Sequence, residues 1–162
     1  MTDDLSLLQQ FRADKLQLLL RHQAAAKLIG QYDINNTYQY IINREETQLT
    51  WLDVAIAELG GTSAEAAAEP DRGANAKRVD AARRAIDEDV QEAQAFVDRW
   101  RSRIDTMTSA RHAKMLRLII GETLEGKRFF EQAQAGRTDL LGRRGAQLLP
   151  SHGEVLPARW IE

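Results

Sequence analysis

The sequence predicts an all-α protein, namely an antiparallel four-helix bundle with one long crossover between helices 2 and 3 and an extended C-terminal tail. Four stretches carry this prediction, because in each of them apolar residues recur every three or four positions, the spacing of one helix face. Turn-forming residues separate the first stretch from the second and the third from the fourth, whereas a longer polar segment separates the second from the third.

The first hairpin of the bundle is predicted from residues 3–30 and 36–59. Thr2 or Asp3 can cap the first helix, Gly30 closes it, and the residues Asp33-Ile-Asn-Asn supply turn chemistry before the second helix. The apolar seam of the first helix runs through Leu7, Phe11, Asp14, Leu18, His22, Ala25 and Ile29. The seam of the second helix runs through Tyr38, Ile41, Glu45, Gln48, Leu52, Ala55 and Leu59.

The second hairpin is predicted from residues 74–104 and 107–135, after a small and polar crossover at 61–73. Thr106 or Thr108 is expected to start the fourth helix, which ends near Gly136. The third seam is Val79, Ala82, Ile86, Asp89, Ala93, Phe96, Trp100 and Ile104, and the fourth is Met115, Leu118, Glu122, Glu125 and Phe129. The chain therefore divides into a bundle at 1–136 and a non-helical tail at 137–162.

Composition excludes several classes of function. The 162 residues are 43% hydrophobic, which predicts one domain with a full core, and the net charge of −2 gives no electrostatic attraction to nucleic acid or anionic membranes. There is no cysteine, so disulfides, thiolate metal sites and iron–sulfur centres are excluded. Acids near the N-terminus and the absence of a long apolar run predict a cytoplasmic protein without a membrane span.

Polar residues interrupt the seams at matching places in the two hairpins. Glu45 follows Asp14 by 31 residues and Glu122 follows Asp89 by 33, and Gln48 and Glu125 each come three positions after the glutamate. An acid on a core seam is costly unless it is paired, protonated or bound to metal. A simpler interpretation is also open for two of them, since Asp14 could lie at the stripe's edge and Asp89 could face outward beside a buried Val90.

Two of these stretches carry a resemblance to a known family. The residues REETQLTWLDVAIAELGG and MLRLIIGETLEGKRFFEQ resemble the second and fourth helices of the ferritin-like superfamily, the di-iron carboxylate bundles of rubrerythrin and bacterioferritin type, which carry Glu-x-x-His motifs. The likeness covers about residues 3–135. It implies a centre of two iron or two manganese ions, with Glu45 and Glu122 as motif glutamates and Asp14 and Asp89 in place of the lone glutamates.

This chain departs from the family motif at both histidines. Gln48 stands at the first histidine position and Glu125 at the second. A carboxylate at position 125 still suits iron(II), manganese or magnesium, whereas an amide at position 48 offers only a neutral carbonyl. The expected site, Asp14, Glu45, Gln48, Asp89, Glu122 and Glu125, is thus harder and more anionic than the parent site.

Two functions follow from this pattern. The first is an iron- or manganese-dependent oxidoreductase, or an iron-handling protein. The second is a non-catalytic bundle for assembly or interaction, in which the metal site is vestigial, Gln48 bonds a carboxylate, and the acids are held by a proton or by Lys15, Arg44 or Lys127.

The remaining expectations concern single large residues and the tail. His112 is interpreted as solvated or capping, and Trp51 and Trp100 as core residues. Residues 138–162 carry seven large apolar side chains without a helical face, so they are expected to dock on their own bundle or on a neighbouring subunit. A homodimer at least, or a larger assembly through the tail, is the predicted state.

Overall fold

The computed structural model describes residues 3–64, 67–73 and 77–141. Four helices form an all-α four-helix bundle: α1 (Asp4–Leu28), α2 (Tyr32–Glu58), α3 (Arg78–Ile104) and α4 (Ala110–Gln134). The described residues contain no strand. The predicted all-α four-helix bundle is therefore confirmed, with a crossover between α2 and α3. Residues 142–162 of the predicted tail lie outside the described residues.

Side-chain caps set where three of the helices begin. The Asp3 carboxylate accepts a hydrogen bond from the backbone N–H of Leu5 (3.2 Å), as expected for an N-cap. α2 begins at Tyr32, four residues earlier than predicted, because Gln31 Oε1 accepts from the N–H of Ile34 (2.6 Å). The predicted turn at residues 33–36 is therefore wrong, since these residues form the first turn of α2.

The start of α4 also differs from the prediction. Ser109 caps this helix by accepting from the N–H of His112 (3.3 Å), rather than Thr106 or Thr108. The hydroxyl of Thr106 instead donates to the carbonyl of Arg103 (2.7 Å), and Thr108 donates to Asp4 at the start of α1 (2.7 Å). These polar residues thus close the end of α3 and tie the α3–α4 turn to α1.

Hydrogen bonds between helices pair early residues of one helix with late residues of its neighbour. Such pairs join α1 to α2, α1 to α3, and α2 to α4: Arg12 with Asp53, Asn35 with Ala26, Arg21 with Glu88, Asp14 with Arg99, Arg44 with Glu122, and Glu58 with Arg111. α1 packs closely on α2, and α3 packs closely on α4, while between the hairpins α1 packs on α3 more closely than α2 packs on α4. The bundle is thus two tight hairpins that meet mainly along α1 and α3.

The buried stripe of α4 is rotated by about one residue from the predicted seam. Leu118 is 52% exposed, and the buried positions are instead His112, Ala113, Leu116, Ile119, Ile120, Thr123, Gly126 and Phe130. Both stripes satisfy a three-four spacing, so periodicity does not distinguish them. Gly126 lies on the observed stripe, where a Cβ would stand 3.7 Å from Ile41. Glu122 and Glu125 consequently lie at the edge of the buried face.

Three interpretations of single residues are wrong. Trp51 is 37% exposed rather than core, although Trp100 is buried as predicted. Val79 is 80% exposed, because α3 begins only at Arg78 and its first buried residue is Ala81. His112 is neither solvated nor a cap, since its ring is buried with Nε2 at 3.5 Å from Glu58. None of the described helices is long and apolar enough to cross a membrane.

Candidate functional site

Four of the six predicted site residues surround one small cavity between the helices. Its volume of about 20 Å³ is room for one water molecule. Its polar lining is Lys15, His22, Arg44, Glu45, Gln48, Glu122, Thr123 and Glu125. Asp14 and Asp89 do not line this cavity. The side chains that α1 contributes are Lys15 and His22, so a lysine rather than an aspartate of α1 faces the carboxylates.

Glu45 is held on both of its oxygens. The ammonium of Lys15 donates to Oε1 at 2.8 Å, and His22 Nδ1 lies 2.7 Å from Oε2. Lys15 also reaches the hydroxyl of Thr123 at 3.4 Å. Lys15, Glu45 and His22 are all buried, with exposures of 1%, 3% and 3%. This is a buried ion pair between α1 and α2 in which both oxygens of the carboxylate have a partner.

The charge state of Glu45 follows from these neighbours. Burial by itself raises the pKa of a carboxyl group, but attraction to His22 and Lys15 and their hydrogen bonds outweigh it and lower the pKa of Glu45 to about 2. Glu45 is therefore an anion at any physiological pH. Its negative charge balances the positive charge of Lys15, so this part of the core carries no net excess of acid.

Glu122 is held in a similar way from α2. The guanidinium of Arg44 donates to Oε1, and the amide of Gln48 donates to Oε2. The side chain of Glu122 is 14% exposed and that of Arg44 is 39% exposed, so this pair sits at the edge of the cavity. Arg44 also lies over the ring of Tyr40, with the guanidinium carbon 5.4 Å from the ring centre. Gln48 therefore bonds a carboxylate, as the second interpretation of the sequence expects.

Three residues that line the cavity each have a buried polar atom without a hydrogen-bond partner in the described part of the chain. These atoms are Nε2 of His22, Nε of Arg44 and Oε1 of Gln48. Buried polar groups in proteins are normally bonded to protein or to ordered water. The cavity has room for a single water, which is the usual partner of such atoms. The cavity can thus take a water-sized polar molecule, next to a ring nitrogen and an amide oxygen.

Asp14 lies on the α1–α3 side of the bundle, away from the cavity. Its carboxylate accepts from the indole N–H of Trp100 (2.7 Å) and pairs with Arg99 (2.9 Å). It is partly exposed. Both of these partners belong to α3. Asp14 therefore joins two helices and takes no part in the cavity.

Asp89 forms a second buried cluster that the sequence did not predict. It is fully buried and accepts from the hydroxyl of Tyr38 and from Arg72, both at 2.7 Å. Arg72 belongs to the crossover, and its guanidinium also donates to the carbonyls of Ala85 (2.8 Å) and Arg21 (3.0 Å). Burial, followed by the charge of Asp89, raises the pKa of Tyr38 well above its usual value.

Two of the carboxylates at the cavity are already bonded to protein groups on both oxygens, an arrangement that does not match a two-metal centre. A metal ion needs lone pairs on several oxygens or nitrogens that converge on one point. Here each oxygen of Glu45 and Glu122 is already bonded to an ammonium, guanidinium, amide or imidazole group. The described residues contain no group of three or more His, Asp or Glu side chains that could hold a metal ion. Lys15 and Arg44 place positive charges beside these two carboxylates.

Comparison with known proteins supports the fold alone. A crystal structure of a conserved hypothetical protein from Mycobacterium tuberculosis is similar to this chain, with a TM-score of 0.70 and 12% sequence identity. The match covers 82% of this chain and 99% of the other. No family model and no curated protein matches the sequence.

Proposed function

We propose that this protein is a non-catalytic helical bundle for assembly, and that its polar centre is held by internal ion pairs instead of metal ions. The observation that carries the proposal is the fully buried Lys15, whose ammonium lies 2.8 Å from Glu45. A lysine at this position repels a divalent cation and neutralises the carboxylate that would bind it. The competing function is the iron- or manganese-dependent chemistry, or iron handling, that the ferritin-like resemblance implies.

Metal addition distinguishes these two functions. We expect the purified full chain, incubated with iron(II) or manganese(II) and then dialysed, to retain less than one ion per chain. We also expect its melting temperature to stay unchanged, because only an ion that binds the folded state stabilises it, by about 2.7 kcal/mol at a hundredfold excess over Kd. Elemental analysis and thermal melts measure both quantities.

The control for that experiment is Glu45→Gln, which removes a carboxylate from the cavity without changing its size. If the natural chain retains two ions and melts higher with metal, and Glu45→Gln loses both effects, the metal-dependent function is correct and our proposal is wrong. If neither protein retains the metal and neither changes its melting temperature, the ion-pair interpretation is supported.

An exposed apolar surface between α2 and α4 offers a place for assembly. We call it the α2–α4 face, and its residues are Trp51, Val54, Met115 and Leu118. Trp51, Val54 and Leu118 are 37%, 56% and 52% exposed, and Met115 is partly buried. A groove of about 250 Å³ runs along this face. Contiguous exposed apolar groups between charged residues are typical of protein interfaces.

The charges at the ends of this face favour a second copy of the same chain as the partner. Arg44 and Glu122 form an ion pair at one end, and Glu58 and Arg111 form another at the opposite end. A two-fold axis parallel to the helices would bring Arg44 opposite Glu122 of the second copy, and Glu58 opposite Arg111 of the second copy. Opposite charges would then meet at both ends, as a self-complementary interface requires.

A charge placed on the α2–α4 face should prevent this assembly. We expect Val54→Arg to shift the full chain from dimer to monomer in sedimentation velocity, because the arginine would be desolvated without a partner. The matched control is Val79→Arg, the same exchange at an exposed position of α3, which should leave the dimer intact. A monomeric natural chain, or dimers of equal strength in both variants, would contradict this part of the proposal.

A further inference from the structure

An apolar groove lies at the end of the bundle where α4 ends. It is formed by the α1–α2 turn, the first turns of α3 and the last turn of α4, and its volume is about 470 Å³. Its apolar lining includes Ile34, Val79, Ala82 and Ile86. Val79 is 80% exposed, although it faces this groove. A cavity of this size and composition fits several apolar side chains.

The chain leaves the bundle beside this groove. Gln134, the last residue of α4, lines the groove, and the described chain continues only to Leu141. Residues 142–162 follow. An extended chain advances about 3.3 Å per residue, so the 14 residues from Leu141 to Val155 reach up to about 46 Å. Every part of the groove is therefore within reach of residues 154–162.

The sequence of residues 154–162 matches the groove in polarity and charge. It reads EVLPARWIE, with apolar side chains at Val155, Leu156, Trp160 and Ile161 and acids at both ends. Arg78 and Arg83 are exposed and line the groove. The groove carries two arginines and one acid, Asp87, whereas the segment carries two acids and Arg159, so their net charges are opposite. Pro157 restricts the unfolded segment and reduces the entropy lost on docking.

We propose that residues 154–162 dock in this groove of their own chain. The tether makes the segment's effective concentration at the groove far higher than that of a separate molecule. The groove and the α2–α4 face are lined by different residues, so this docking is independent of dimer formation. It covers the end of the bundle where α3 begins and where the crossover rejoins the core.

Fluorescence quenching by tryptophan tests this docking, because the chain has no cysteine of its own and a single one can be introduced and labelled. Val79→Cys carrying a bimane dye places the probe in the groove. We expect the dye to be dim in the full chain and to brighten when Trp160→Phe is added. The control is Asn36→Cys, an exposed site on α2 that does not line the groove, where Trp160→Phe should change little.

Three outcomes decide the proposal. Quenching at position 79 that requires Trp160, and that persists on dilution, supports docking within one chain. Equal quenching at positions 36 and 79, or none at 79, overturns it. Quenching of labelled Val79→Cys/Trp160→Phe by added unlabelled chain shows that the tail docks on another copy, and this also overturns it. Ala82→Arg, which places a large charged side chain in the groove, should brighten the dye at position 79 without loss of helical circular dichroism.

Discussion

Replacing Lys15 with methionine is expected to lower the free energy of unfolding by about 3–5 kcal/mol, because it leaves the buried carboxylate of Glu45 without its ammonium partner. Glu45 is only 3% exposed, so water cannot replace the lost charge. The total stability of a domain of this kind is about 5–15 kcal/mol. The change is thus a large part of the whole, and urea denaturation at neutral pH measures it.

A double variant separates lost charge from lost packing. Lys15→Met combined with Glu45→Gln leaves no unpaired charge, so most of the stability should return. Arg117→Met is the control, since Arg117 and its partner Asp105 are both more than half exposed and exposed pairs add little. If the double variant is as unstable as Lys15→Met alone, the ion pair does not explain the effect.

The second large effect is expected at Arg72. Its side chain is 3% exposed and holds Asp89, which is fully buried. Arg72→Met should lower the free energy of unfolding by about 3 kcal/mol, because the Asp89 charge would keep only the hydrogen bond from Tyr38 and the more distant guanidinium of Arg21, 4.0 Å away. The crossover should also lose its attachment to the core. Hydrogen exchange of the backbone amides in residues 67–73 should become faster.

The comparison variant for this prediction is Arg84→Met, which alters an exposed arginine of α3. It should change neither stability nor exchange measurably. A normal exchange rate in residues 67–73 of Arg72→Met would show that other contacts hold the crossover, and the argument from Asp89 would then fail.

The fold could be predicted from the sequence because the apolar spacing typical of a helix continues through each of the four segments. In α2 the predicted seam residues Tyr38, Ile41, Glu45, Gln48 and Leu52 are all buried. This seam has no competing stripe of equal apolarity beside it. In α4 two stripes one residue apart both satisfy helical spacing, and the choice between them depends on contacts with α2, which periodicity does not contain.

The candidate site could be predicted only in part, again because periodicity does not distinguish neighbouring positions on a helix. After Phe11, positions 14 and 15 both fall on the α1 stripe, and one carries an acid and the other a base. A hydrophobicity pattern treats the two alike. Lys15 is buried because it pairs with the carboxylate of Glu45 on α2. Asp14 remains partly exposed because it bonds to Trp100 on α3. No sequence pattern indicates that Arg72 is buried, because the crossover has no helical periodicity.

The polar contacts between helices have a consequence for how many packed states the chain can adopt. An interior of aliphatic side chains alone tolerates small rotations of each helix at little cost. Three polar contacts join the helices in pairs. Lys15 with Glu45 joins α1 to α2, Arg44 with Glu122 joins α2 to α4, and Tyr38 with Asp89 joins α2 to α3. Rotating any one of these helices by a single residue would separate a charged group from its partner. We therefore expect these polar groups to favour one arrangement of the helices over other packings of similar free energy. Replacing them with apolar residues would give a bundle that is equally helical but conformationally heterogeneous.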